Sequence, residues 1–308
     1  MTGPVIEIKA NEAARSKAEI SVSVLIPFYN DDPTPLVNAL AETAPVGVEA
    51  ILFDDGCPDA ALNAQVSAAI AKVSLPVRLM TSKLNQGRSG ARNRLAGAAL
   101  GDWVLFLDAD MRIDAAFLTR WIALTQNTSA DVLFGGYEPV TDPGAHTVHA
   151  ALAAASDDPS AARRSQVGAA AVCSSNLMVR RSAFAQVPFD DGYQGWGWED
   201  VDWALSAEKV LALSHVDNPA RHGGLESVPR LLEKFGQSGP NFARLLKRHP
   251  QYAARPGAKL ALAIKTSKTG PLARVLGSMF ARAPLPTRLR VLGLKLFRAG
   301  VAAKAIQP

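Results

Sequence analysis

Asp108 and Asp110 stand one residue apart at the end of an apolar run, Asp102 to Leu107 (DWVLFL). Two carboxylates with this spacing can point to one side of the chain. Hard cations such as Mg2+ or Mn2+ favour such oxygen donors, usually shared with substrate phosphates rather than held in an all-protein cage. The plain alternative is a helix cap or a pair of solvated loop acids. A second acidic pair, Asp54-Asp55, ends another apolar run (VEAILF) and tips the balance toward a metal bridging a diphosphate. A carboxylate at that place can accept hydrogen bonds from a ribose hydroxyl or a base N–H, although Asp-Gly is also a common turn pair.

Three further groups carry chemistry. Gly87 to Asn93 (GRSGARN) opens a helical stretch, and its backbone N–H groups with Arg88 or Arg92 suit an anionic phosphate. It matches neither GxGxxG nor the GxxxxGK[ST] phosphate loop. Trp196 to Trp203 (WGWEDVDW) packs three tryptophans and three acids into eight residues. Trp196 and Trp198 offer faces for the C–H surface of a sugar, Glu199 can hold a hydroxyl, and Asp200 can remove its proton. Asp202 is read as complementing the positive end of a helix. His222, in a loop shaped by Asn218-Pro219 and Gly223-Gly224, can complete a metal shell as a neutral imidazole, whereas His215 packs within a strand.

The elements that must position these residues alternate. Apolar β-branched runs at Ser21–Pro27, Val48–Phe53, Val77–Met80, Asp102–Leu107 and Asp131–Gly135 read as strands. Helical spacing appears over Pro35–Ala44, from an Asp59 N-cap to Val73, over Ala91–Leu100 and over Ala115–Thr125. Such alternation predicts right-handed crossovers and a doubly wound, mostly parallel α/β sheet with ligands beyond the carboxyl ends of its strands. Pro27 to Asn30, Asp54 to Gly56 and Asp108 to Asp110 all fall there, so Pro27 and Tyr29 join the candidate donor contacts. Residues 143–170 are Ala-rich and predict a helix and a mobile loop broken at Asp157-Asp158-Pro159. Further strands are expected over Cys173–Val179 and Leu211–Val216, a helix over Trp198–Glu208, and helices from Val228 onward.

At 308 residues, 48% hydrophobic and 20% charged, the composition is that of a folded globular chain. Two cysteines, Cys57 and Cys173, exclude a disulfide framework and form no Cys/His cluster for zinc. The polar first 19 residues do not resemble a signal peptide, and no apolar run approaches the roughly 20 residues needed to span a bilayer. A cytoplasmic location is expected. The net charge of +5 hides an asymmetry. All 28 acids lie at or before Glu233 with 18 basic residues, and the remainder holds 15 basic residues and no acid. Such a tail suits an anionic membrane surface, with Leu289 to Lys304 lying on it peripherally, or else packs its apolar face on the body. With few aromatics and no recognised module, it is a poor nucleic-acid binder.

The ordered set SVSVLIPFYN, DDG at Asp54 to Gly56, GRSGARN, FLDAD, CSSNLMVRRSAF and GWGWEDVDW resembles the family 2 glycosyltransferases, over about residues 21–225. The resemblance implies a GT-A fold, transfer of one sugar from a nucleotide-diphosphate donor (a UDP-sugar favoured) to a saccharide or lipid-linked hydroxyl, and inversion at the anomeric carbon. It implies that Asp55 contacts the base with Asp54 nearby, that Asp108 faces the ribose, and that Asp110 holds Mn2+ or Mg2+ through the diphosphate. By the same resemblance Asp200 is the general base, and His222 matches a third metal ligand found in some members with a WGxED segment. Lack of a QxxRW motif implies single addition rather than processive synthesis. Residues 1–19 are expected to be a flexible segment, 20–227 the catalytic domain and 228–308 a basic helical extension. Two other classes compete: a nucleotidyltransferase making nucleotide sugars, whose glycine-rich loop PFYNDD does not match, and a non-catalytic nucleotide-sugar binding module.

Overall fold

The computed structural model describes residues 5–16, 19–138, 144–156 and 160–306. Along the chain, strand β1 (Ile6–Ala10) precedes β2 (Val22–Phe28), helix α1 (Thr34–Thr43), β3 (Val48–Asp55), α2 (Ala60–Ile70), β4 (Val77–Ser82), α3 (Gly87–Ala98) and β5 (Trp103–Leu107). Then come the two-residue β6 (Met111–Arg112), α4 (Phe117–Gln126), β7 (Val132–Phe134), α5 (Thr147–Ser156), α6 (Ala161–Val167), β8 (Asn176–Arg180) and α7 (Arg181–Gln186). The last part holds α8 (Glu199–Ala207), β9 (Leu213–His215), β10 (Arg221–His222), α9 (Val228–Gln237), α10 (Gly239–Arg248), α11 (Pro256–Thr266), α12 (Gly270–Arg282) and α13 (Thr287–Ala305).

The main sheet runs β1-β4-β3-β2-β5-β8-β7-β9, and β10 pairs with β6 in a separate ribbon. β4, β3, β2 and β5 are parallel and are joined by the helical crossovers α1, α2 and α3. These strands are apolar on both faces because helices cover both faces. Leu25, Ile51, Phe53, Val104 and Phe106 point to one layer, where Ala91 and Leu95 of α3 pack. Val24, Ile26, Leu52 and Leu105 point to the other, against Leu36 and Leu40 of α1, Val66 of α2 and Trp121 of α4. The Asp59 carboxylate caps α2 by accepting the N–H groups of Ala61 and Leu62 at 2.9 and 3.1 Å.

Four differences from the expected pattern have physical causes. β8 runs antiparallel to both β5 and β7, so it starts at the carboxyl edge of β5 and carries the chain to the amino edge. Ile6–Ala10, expected to be part of a flexible segment, forms an antiparallel edge strand on β4. Asn11 fastens it: its Nδ2 donates to the carbonyls of Ile70, Val73 and Leu75, and its Oδ1 accepts from Ala14 and Val77. The Ala-rich region forms α5 and α6; the break at Asp157-Asp158-Pro159 lies outside the described residues. The expected boundary at residue 228 is crossed by packing, since Phe242, Leu245, Ala261 and Ala302 belong to the same buried cluster as Leu25 and Phe106.

Candidate active site

Parallel register brings the three acidic or polar strand ends together, with Phe28 beside Asp54 and Asp54 beside Thr81. Antiparallel pairing of Leu107 with Asn176 adds the start of β8 to the same edge. Pro27 is partly exposed there and Tyr29 is 41% exposed, so both are open to a ligand.

Asp54 and Asp55 are buried and occupied by backbone. Asp54 accepts the Cys57 N–H at 2.8 Å. Asp55 accepts those of Gln86 and Gly87 at 2.6 and 3.1 Å, so one carboxylate closes the N-terminus of α3. Burial pushes Asp55 up to about 6 despite these bonds, and the nearby Asp54 adds to the shift. Burial likewise raises Asp54, against the N–H groups of Cys57 and Gly56.

The first turns of α3 supply two arginines. Arg92, 2% exposed, places Nη2 2.6 Å from Oδ1 of Asp108. Arg88 places Nε 2.6 Å from Oε1 of Glu199 and Nη2 3.8 Å from Oδ2 of Asp108. Burial opposes the Arg88 charge, yet Glu199, Asp108 and Asp200 hold its pKa above the ordinary value. For Asp108 the penalty of burial is outweighed by Arg92, Arg88 and His222, and its carboxyl stays below the usual range.

The β6–β10 ribbon sets His222 opposite Met111, the residue after Asp110. Oδ2 of Asp110 and Nδ1 of His222 are 3.7 Å apart, and the Gly223 N–H donates to the Asp110 carbonyl at 3.1 Å. Asp110 is raised chiefly by burial, opposed by His222 and reinforced by Asp108 and Asp31. A carboxylate and an imidazole at this separation suit a divalent ion. Nδ1 also accepts the Gly224 N–H at 3.3 Å, a bond that an ion on this nitrogen would displace. Among the described residues no three His, Cys, Asp or Glu gather to hold an ion unaided. The pair therefore fits an ion whose remaining ligands are phosphate oxygens and water.

Asp200 lies in the first turn of α8, beside Glu199. Its Oδ1 is buried without a hydrogen-bond partner. Burial, then the charge of Glu199, pushes its pKa up to about 6, while Arg92, Arg88 and the Ser174 hydroxyl pull the other way. Arg88 thus stands among Asp108, Glu199 and Asp200.

The tryptophans were expected to meet an acceptor, and the tertiary structure gives them other neighbours. Trp203 is core: it stacks on Phe184 and Phe189 and donates to the Val187 carbonyl at 2.7 Å. Trp196 packs on Phe235, and Trp198 on Phe242 and Tyr252. The Arg298 guanidinium, from α13, lies 4.2 Å over the Trp198 ring and 5.7 Å over that of Trp196. Both rings are half-buried under the C-terminal helices. Glu199, also expected at the acceptor, is 3% exposed and lies 2.6 Å from Nε of Arg88. Asp202 is buried with His249 at 3.0 Å and Arg248 at 2.7 Å, a packing role.

Ser174 and Asp31 escaped the sequence pattern. Ser174 sits in the CSSN segment and Asp31 directly after FYN, adjacent to residues already singled out. Neither has a residue type distinctive enough to stand out alone. A cavity of about 680 Å³ lies at the opposite, amino ends of β2 and β5, lined by Val22, Trp103 and Arg181 among others.

The chain is 36% identical over 94 residues to the amylovoran biosynthesis glycosyltransferase AmsB of Erwinia amylovora, covering 30% of this chain and 31% of that one. It is 32% identical over 127 residues to the succinoglycan biosynthesis protein ExoO of Rhizobium meliloti, covering 40% and 35%. These alignments span about a third of each curated relative. Among solved structures, S. aureus TarS 1-349 in complex with UDP superposes with TM-score 0.56 at 17% identity, covering 93% of this chain and 90% of that one. The mannosyltransferase PcManGT of Pyrobaculum calidifontis, in complex with GDP-Man and Mn2+, superposes with TM-score 0.59 at 15% identity, covering 95% and 91%. The fold is thus the GT-A type, α/β with a mostly parallel sheet. Residues 23–187, more than half of the chain, match the model of Glycosyl transferase family 2 and contain both acidic strand ends and the α3 arginines, so the protein belongs to that family.

Proposed function

We propose that the protein transfers a single sugar from a nucleotide-diphosphate donor to a hydroxyl of a saccharide or lipid-linked acceptor, with inversion at the anomeric carbon. The observation that carries this reading is the placing of Asp200. A buried, unpartnered carboxylate oxygen with a pKa near 6 stands in the first turn of α8, and Arg88 links that turn to the Asp108 edge. A carboxylate so poised can accept a proton near neutral pH.

In this mechanism Asp200 takes the proton of the acceptor hydroxyl as its oxygen bonds to the sugar C1. The bond from C1 to the diphosphate breaks on the opposite face, which inverts the centre. Asp54 and Asp55, with Pro27 and Tyr29, form the nucleoside end of the site, and Asp108 faces the ribose. Arg88 and Arg92 keep positive charge beside the leaving phosphates. Asp110 and His222 would hold a divalent metal, Mn2+ or Mg2+, which when bound neutralises diphosphate charge. The fold neighbours were solved with UDP, UDP-GlcNAc, GDP-Man and Mn2+, which supports a nucleotide-sugar donor, a UDP-sugar being favoured. Polysaccharide-related names among the curated relatives support a glycan acceptor.

A panel of nucleotide sugars, each with and without Mn2+, tests the proposal by thermal shift followed by measurement of nucleoside diphosphate release. One donor should stabilise the protein in a metal-dependent way and be slowly hydrolysed without acceptor. Stabilisation by nucleoside triphosphates with pyrophosphate release would point to nucleotidyl transfer instead, and binding without any hydrolysis to a non-catalytic module.

A further inference from the structure

Helices α12 and α13 form an antiparallel hairpin whose seam is made of glycine and alanine. A Cβ on Gly277 would lie 2.5 Å from the Phe297 nitrogen and 2.7 Å from the Gly293 oxygen, and one on Gly293 would lie 2.7 Å from the Ala281 nitrogen. With the seam this tight, the large apolar side chains are left outside it. Leu272, Val275, Leu276 and Met279 recur along α12 at helical spacing and are 57, 58, 37 and 61% exposed. α13 adds Leu289 and Leu292, 46 and 61% exposed.

A hairpin built for water hides its large apolar residues and shows polar ones. Small residues in the seam with large apolar ones outside is the packing of helices whose surroundings are themselves apolar. The charge agrees. No acid follows Glu233, and Lys268, Arg282, Arg288 and Lys295 are exposed on or beside the same hairpin. No helix among the described residues is long and apolar enough to cross a membrane. We propose that the outer face of the α12–α13 hairpin docks on an anionic phospholipid surface, lying in the interface with its basic residues at the headgroups. A second copy of the chain is a poorer occupant, because a two-fold contact would set these cations against their own copies. On another side of α13, Arg298 grips Trp196 and Trp198, next to Glu199 and Asp200. Docking would hold the site beside a membrane-borne acceptor; that purpose rests on the transferase reading, whereas the docking does not.

Flotation of the full chain with vesicles of phosphatidylcholine alone, or with added phosphatidylglycerol, tests it. Binding should require the anionic lipid and weaken with salt. The double substitution Val275→Glu, Met279→Glu should cut partitioning at least about tenfold, since it puts charge where apolar insertion is needed. Both positions face solvent, so its melting temperature and its stabilisation by donor should match the wild type. Failure of the wild type to float, or flotation unchanged by the double substitution, overturns the proposal. So does a dimer, seen in sedimentation, that the substitution dissociates without any vesicle binding. Flotation that persists where no nucleotide sugar binds would sink the transferase reading and leave the docking intact.

Discussion

Nε of Arg88 lies 2.6 Å from Oε1 of Glu199, joining the first turn of α3 to the first turn of α8. The two residues are separated by more than a hundred positions, and their pairing links the arginine-bearing helix to the turn that carries Asp200. Glu199 is 3% exposed and Arg88 36%. Arg88→Ala should therefore strand a buried carboxylate. The expected loss is about 2–3 kcal/mol, less than for a fully buried pair because water reaches Arg88. Urea unfolding would measure it, and donor affinity should fall as well. Arg88→Lys should recover part of the stability, because a point charge replaces a fork.

Asp200→Asn separates catalysis from binding. Transfer should drop by about 10²–10⁴-fold, the usual range for a general base, while donor affinity in calorimetry stays near wild type. A variant with normal turnover would remove Asp200 from the mechanism.

The raised pKa of Asp200 sets two pH dependences with opposite signs. Transfer requires the ionised form, so kcat should climb through about pH 6 and level off above it. Stability runs the other way. Asp200 lies near 6 in the fold against an ordinary 3.8, so the native state holds more protons in that window. Its contribution to stability therefore falls as pH rises from 3.8 through 6. Above pH 6, Asp200→Asn should melt at a higher temperature than the wild type, and the gap should close on acidification.

Asp110 and His222 should act through metal-dependent donor binding rather than through folding. Asp110→Ala should abolish the part of donor affinity that Mn2+ provides, and His222→Ala should weaken it by about 10–100-fold. Calorimetry with and without Mn2+ checks both. Equal metal dependence in wild type and variants would exclude the pair as ligands.

The α12–α13 seam leaves no room for a methyl group at Gly277. Gly277→Ala should destabilise by about 1–3 kcal/mol despite the better helix propensity of alanine, because the opposing atoms are backbone and cannot turn aside. Denaturant unfolding of the single variant is sufficient to read it.

Much of this was legible in local pattern. The Asp59 cap, the four parallel strands and the convergence of Asp54 and Asp108 on one edge follow from apolar runs ended by acids, because crossovers in parallel sheets leave little choice of edge. Trp196 and Trp198 were not legible in the same way. Their type suits a sugar or a buried packing surface equally, and Arg298, Phe242 and Tyr252 lie too far along the chain for any local period to reveal them. The antiparallel turn of β8 escaped for a related reason: its apolar run reads alike in either direction. Ile6–Ala10 escaped because an edge strand half open to water lacks an apolar run.

By itself, then, the sequence determined the sheet, the family and the list of acids and arginines at its carboxyl edge, since each is encoded in short apolar periods and the residues that end them. Only the tertiary structure decided which of them meet. Arg88 meets Glu199 because the start of α8 is carried to α3, and Arg92 meets Asp108 because α3 lies beside the end of β5. The basic tail was ambiguous as composition. Packing divided it into a glycine seam, a face that grips Trp196 and Trp198, and an apolar face left toward solvent. Which side of a helix is buried depends on the partner that covers it, and that partner is set by the whole fold.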